Sequence, residues 1–191
     1  GSEANIRVGE YISDAMDRAG LEVERFPYDV YVPEPGGQIE VALVTPNRQP
    51  LNGQENIVKD DVYSSHPNLN HGWNAYSGSG EVTGEIVYAN YGTKEDFEKL
   101  LELDIRIEGR IVIARFGGNF RGHKAKYACE HGALGILMYS DPIDGGYAQG
   151  TVYPEGKFLN ESAVQRGALL TLGYVGDPLT PFEPAYPEDG R

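Results

Sequence analysis

The stretch Phe116-Gly117-Gly118-Asn119-Phe120-Arg121-Gly122-His123-Lys124 places glycines and basic side chains between an apolar run and a predicted helix start. Backbone N–H groups at a helix start, together with the helix dipole, attract anions. An arginine there can hold a carboxylate through two parallel hydrogen bonds. A nucleotide phosphate loop would need lysine directly after its second glycine, followed by Ser or Thr. Here His123 separates Gly122 from Lys124 and Ala125 follows, which excludes nucleotide binding. From the residues alone two readings stand: Arg121 grips a carboxylate, or it is a solvated arginine in a tight glycine turn.

Other reactive side chains form no such pattern. His66 and His71 fall in a polar stretch, while His123 and His131 flank one predicted helix. There is no His-Glu-x-x-His and no cysteine pair, so no zinc ligand set is visible, and all four histidines read as loop and surface residues. No Gly-x-Ser-x-Gly nucleophile motif occurs, and Ser77-Gly78-Ser79-Gly80 reads as a flexible turn. Cys129, the single cysteine, shares the expected inner helix face with Ala125, Ala128 and Gly132 and reads as core. The acidic pairs Asp60-Asp61 and Glu188-Asp189 read as solvated.

The elements that must position the Arg121 loop follow from hydrophobic periodicity. Residues 110–115 hold the apolar Ile111-Val112-Ile113, and residues 134–139 give a second apolar strand. Such runs suggest burial on both faces, as in a parallel sheet. With the helix over about 121–131 between them, stopped by Gly132, residues 110–139 make a βαβ unit. Upstream, Ile86-Val87-Tyr88 reads as a strand. Thr93 caps a helix over 94–103, with Asp96 as the acidic partner of a capping box and Phe97, Leu100 and Leu101 on its buried face. Residues 4–19 read as an amphipathic helix with Val8, Tyr11, Ile12, Ala15, Met16 and Ala19 on one face. Strand-like runs follow at 28–32 and 39–45, and residues 46–83 read as loops and short strands.

Composition narrows the function classes. The formal net charge of −13 argues against a nucleic-acid or anionic-membrane partner, which would need clustered Lys and Arg. No run approaches the length of a membrane span, and none reads as a signal peptide. With 25 glycines and 12 prolines in 191 residues, many turns are expected of a mixed α/β domain. The sequon Asn160-Glu161-Ser162 is also present.

Several long motifs, in order, resemble glutamate carboxypeptidase II-like zinc metallopeptidases of the transferrin receptor superfamily. They are Gly109 to Lys124, Gly132 to Pro142, Tyr153-Pro154, Val164-Gln165-Arg166-Gly167 and Gly176 to Pro181, with Asn90 to Phe97 upstream. The resemblance implies that residues 46–191 form a protease-associated (PA) domain, a three-layer β/β/α swivelling fold with a mixed sheet. Residues 1–45 would be a helix and strands of the zinc peptidase domain. It further implies that the two zinc ions and the catalytic glutamate are held beyond Arg191, so this chain would contribute no catalytic residue. Its role would be to lid the active site and help bind substrate.

Residue by residue, the resemblance makes Arg121 the arginine that grips the substrate's C-terminal carboxylate, with Phe120 as its neighbour and Lys124 in the same motif. Glutamate-preferring members carry Asn at the position of Ala168, and that departure argues against a strict C-terminal glutamate preference. The backbone carbonyls of Thr180 and Glu183 would supply half of a calcium site completed by the peptidase domain. The implied partners are that domain, a peptide with a free C-terminal carboxylate and a second copy in a homodimer. The implied setting is extracellular, periplasmic or a membrane-anchored ectodomain. The rival branch is transferrin-receptor-like, with the same architecture serving protein contacts and no hydrolysis. A free-standing PA module is a further rival, against which the N-terminal piece argues.

Overall fold

The computed structural model of the chain describes residues 2–27, 33, 39–51, 53–69, 71–171, 173 and 182–183. The chain divides into two compact units, Gly1–Val32 with Tyr174–Arg191, and Pro33–Gly173.

In the first unit, α1 spans Glu3–Arg18. Ser2 caps it, its Oγ accepting from the Asn5 N–H at 3.2 Å, and Glu3 and Arg18 sit at the ends that the helix dipole favours. None of its residues is buried, and Val8, Tyr11, Ile12 and Met16 of the predicted apolar face are exposed. The strand expected at 28–32 lies outside the described residues.

The second unit opens with an antiparallel pair, β1 (Val41–Leu43) and β2 (Gln49–Leu51). The strand expected over 39–45 is thus shorter, and the hairpin turns across positions 45 and 46. A short parallel pair joins β3 (Asn74–Ala75) to β7 (Gly167–Ala168). The main sheet is parallel, ordered β4 (Ile86–Tyr88), β5 (Ile111–Arg115), β6 (Gly135–Tyr139). Between its strands run α2 (Lys94–Glu102) and α3 (Arg121–Glu130), so the βαβ unit expected at 110–139 is present. A four-residue helix, α4 (Pro142–Gly145), and a 3₁₀ turn, Tyr147–Gln149, follow β6.

The core gathers Val87, Ala89, Phe97, Leu100, Ile107, Val112 and Ala128. Phe97 and Val112 are fully buried. At about 2–3 kcal/mol for a fully buried Phe side chain, α2 is anchored chiefly through Phe97. Burial on β5 alternates: Val112 and Ala114 are buried while Ile111 and Ile113 are half-buried. The expectation of two covered faces is met on the helix-packed face alone. Leu101, expected on the buried face of α2, is exposed, because one further residue rotates it away from the Phe97 and Leu100 stripe.

Two carboxylates fasten the connections. Asp96 completes the expected capping box, accepting from Thr93 N–H at 3.0 Å and from Asn90 Nδ2 at 2.9 Å. Its partial burial raises its pKa, but these hydrogen bonds outweigh that and leave it below the ordinary aspartate value. Glu55 accepts from Arg166 Nη2 at 2.8 Å and from Val164 N–H at 3.3 Å. The Arg166 hydrogen bond is the main reason its pKa falls, against a smaller opposing effect of burial. Both groups are more acidic folded than unfolded. Their stabilisation is therefore present above the unfolded carboxyl pKa values and is lost as pH falls through the depressed folded ones. The urea midpoint of the chain should drop as pH is lowered from about 5 to about 3. A Glu55→Gln, Asp96→Asn double variant should start lower and show a flatter acid limb. An unchanged slope in that variant would show that other groups govern the acid response.

Candidate functional site

The site is built around the turn between β5 and α3. Gly117 and Gly118 hold φ of +100° and +75°, in the left-handed region where L side chains are strained. A Cβ on Gly118 would also lie 2.8 Å from the Tyr91 Cβ. The turn closes on Lys124, which is fully buried. Its Nζ donates to Gly117 O and Asn119 Oδ1, each at 2.6 Å, and to Tyr91 O. Those three bonds use every ammonium proton. Asn119 Nδ2 donates in turn to Gly92 O at 3.2 Å, tying this turn to the one that leads into α2. Burial lowers the Lys124 pKa, and the charge of Asp96 opposes the shift.

Arg121 is the first residue of α3, after Phe120 as N-cap. Phe120 has no capping side chain, so the first-turn N–H groups receive none from it. The Arg121 guanidinium lies 5.7 Å from the Phe120 ring centroid and 6.0 Å from that of Phe116. Nη2 donates to Gln165 Oε1 at 3.1 Å. Nε is buried and has no hydrogen-bond partner. Among the described residues Arg121 forms no ion pair.

Nearby Arg115 is the contrast. It stacks on Tyr91 at 3.9 Å, donates to Asn90 Oδ1 at 2.9 and 3.2 Å, and pairs with Asp144 at 3.4 Å and Asp141 at 3.7 Å. Its charge is answered inside the protein, whereas no described carboxylate answers that of Arg121. Tyr91, held between Arg115 and a 2.8 Å hydrogen bond to Asp144, is the wall on which Gly118 closes.

Strand β7 brings the last part. A Cβ at Gly167 would fall 2.3 Å from Arg121 Nη1, so glycine is what lets the guanidinium lie on that backbone. A Cβ at Gly122 would fall 2.3 Å from Leu169 O, so glycine also lets α3 approach the segment after β7. Leu169 N–H donates to Ala75 O at 2.9 Å and fixes that segment against β3.

The structure therefore brings Arg121 and Phe120 together, with Phe116 and Gln165, and keeps the Lys124 ammonium apart from them. Lys124, expected in the carboxylate site, is turned inward because two backbone carbonyls and Asn119 converge on its Nζ, and a buried ammonium needs such acceptors. Thr180 lies outside the described residues, and Glu183 is exposed. No group of three or more His, Cys, Asp or Glu able to hold a metal occurs among the described residues. Cys129, expected in the core, is exposed, since the buried positions of α3 are Gly122, Lys124 and Ala128. His131 is half-buried and stacks on Phe97 at 5.1 Å, which makes it a packing residue. Sequence reading missed the open trough of about 1260 Å³ bordered by Phe116, Gln165, Trp73 and Tyr139. Its one legible signal was the unbroken apolar run of β6.

Residues 82–172 match the PA domain family, and that stretch of the chain is a PA domain. Among curated proteins, the chain is 37% identical over 183 residues to the "Probable glutamate carboxypeptidase" of Arthroderma benhamiae (strain ATCC MYA-4681 / CBS 112371), covering 92% of this chain and 25% of that protein. It is 41% identical over 128 residues to "Aminopeptidase NAALADL1" of Mus musculus, covering 65% of this chain and 17% of that protein. The chain thus spans about a quarter or less of the length of these relatives. Among solved structures, an aminopeptidase from Aneurinibacillus sp. strain AM-1 superposes with a TM-score of 0.44 at 18% identity, covering 88% of this chain and 30% of that one, a likeness too loose to bear on function.

The two close approaches should respond differently to an added methyl. Gly122→Ala drives Cβ into backbone and should cost about 2–3 kcal/mol in urea unfolding. At Gly167→Ala the nearest atoms are those of the movable Arg121 guanidinium, so stability should change by less than about 1 kcal/mol while the Arg121–Gln165 hydrogen bond is lost. The Arg121 side-chain NMR signals should shift in Gly167→Ala. Equal stability losses in the two variants would contradict the described packing.

Proposed function

We propose that residues 46–191 act as a non-catalytic PA domain in a zinc-dependent exopeptidase, covering its active site while Arg121 holds the C-terminal carboxylate of the peptide substrate. Residues 1–45 belong, on this reading, to the peptidase domain. The observation that carries the proposal is the charge of Arg121: a half-buried guanidinium at a helix N-terminus, with an unpartnered Nε and, among the described residues, no carboxylate paired to it. A substrate carboxylate would satisfy it and draw on the helix dipole as well. Phe116 and Phe120 would shield that pair from water, and Lys124 would hold the loop that carries them. The names of the related glutamate carboxypeptidases and aminopeptidase support the reaction class.

On this reading the zinc ligands and the catalytic glutamate belong to the peptidase domain, and bond cleavage takes place there. Calcium at Thr180 and Glu183 belongs to the same proposal and would need ligands from outside the chain. The protein would work as an extracellular, periplasmic or membrane-anchored homodimer.

The test uses the full-length protein. Arg121→Ala should raise KM for a peptide with a free C-terminal carboxylate by roughly 10–100-fold, the worth of a charge-assisted pair, with kcat changed far less. A C-terminally amidated peptide should be handled alike by both proteins. Equal KM values for the free acid would remove Arg121 from the substrate site. Absence of zinc-dependent hydrolysis by the unaltered protein would instead favour a transferrin-receptor-like scaffold.

A further inference from the structure

Among the described residues, Gln165 alone hydrogen-bonds the Arg121 guanidinium, its Oε1 accepting from Nη2 at 3.1 Å. Arginine carries donors and no acceptor, so the amide must turn its oxygen, not its nitrogen, toward it. The segment around Gln165 is fastened independently of Arg121. Val164 N–H donates to Glu55 Oε1 at 3.3 Å and Arg166 Nη2 to Glu55 Oε2 at 2.8 Å, so one carboxylate grips both neighbours of Gln165. Two residues on, Gly167 opens β7 and pairs with Asn74 of β3. In an extended segment successive residues face opposite sides. Accordingly Gln165 and Gly167 meet Arg121, while Arg166 between them turns to Glu55. Arg166 thus receives an acid, and Arg121 receives a neutral amide.

We propose that Gln165 is a positioning residue for substrate binding: its amide oxygen fixes the Arg121 guanidinium against Gly167 without neutralising its charge. This rests on the reading of Arg121 as the group that holds the substrate carboxylate. A long side chain left loose must be ordered at the moment of binding, which weakens binding, and one already held avoids that cost. A carboxylate at position 165 would hold the guanidinium more firmly, since a charge-assisted hydrogen bond is stronger than a neutral one. It would also give Arg121 an internal counter-charge that competes with the substrate. Glutamine and glutamate differ here by one charge and little in shape, so the residue type at 165 decides the affinity of the site for an anion. A purely structural contact makes the opposite demand: glutamate would serve as well as glutamine, or better.

The test uses the full-length protein and two peptides, one with a free C-terminal carboxylate and the same peptide amidated. Gln165→Glu should raise KM for the free acid by at least about 10-fold, change kcat by less than about 2-fold and leave KM for the amidated peptide as it was. Gln165→Leu, which removes the acceptor without adding charge, should raise the free-acid KM by roughly 2–10-fold, the worth of one hydrogen bond. Combined with Arg121→Ala, Gln165→Leu should cause no further rise, because it acts only through the guanidinium. An unchanged free-acid KM in Gln165→Glu overturns the proposal. So does an equal rise for both peptides, or a Gln165→Leu effect that adds in full to that of Arg121→Ala. Where Arg121→Ala raises the free-acid KM and Gln165→Glu does not, the inference on Gln165 fails alone. Where Arg121→Ala changes nothing, or the unaltered protein hydrolyses neither peptide, the reading of Arg121 fails and the inference falls with it.

Discussion

A single buried ammonium sets the geometry of the candidate site. Lys124 sits without exposure inside α3 and donates to Tyr91 O, Gly117 O and Asn119 Oδ1. A charge taken out of water is tolerated only with such acceptors around it. The two carbonyls come from the turns after β4 and after β5, so one side chain welds together the loops at the C-terminal ends of two parallel strands. Gly92 belongs to the same device, since a Cβ there would meet the Lys124 side chain at 3.2 Å. Arg121, three residues before Lys124 on the same helix, is placed as a consequence.

Two arginines near this weld have opposite fates. Arg115 ends β5 and is surrounded by Asn90, Tyr91, Asp141 and Asp144. Arg121 starts α3 and has Gln165 and two aromatic rings but, among the described residues, no acid. The first arginine holds the loops rigid, and the second is left with bonding capacity. A carboxylate site needs that asymmetry, because a guanidinium already paired with an internal acid has little left for a ligand.

Much of this was legible in the sequence where local rules decide the outcome. Thr93 and Asp96 announced the capping box, Gly132 the end of α3, and the apolar runs the parallel strands on either side of it. The Arg121 loop stood out because glycines, a helix start and a basic residue have a joint physical meaning. What escaped depended on contacts distant in sequence. Lys124 looked like a ligand-binding residue, since nothing local reveals that Tyr91, 33 positions earlier, turns a carbonyl toward it. Leu101 and Cys129 were assigned to buried faces from periodicity, yet which stripe of a helix is covered depends on where the sheet lies. The trough along β6 depends on strand order, which no run of residues states.

The account turns on whether the Lys124 ammonium, rather than its aliphatic stem, holds the loops together. Lys124→Met keeps the stem and removes the charge, so urea unfolding of this variant against the unaltered chain isolates the three hydrogen bonds. The account predicts a loss of about 3 kcal/mol, from acceptors left without their donor in a packed site. It also predicts faster amide exchange across residues 117–121. An unchanged unfolding midpoint, with loop amides as protected as before, would contradict it.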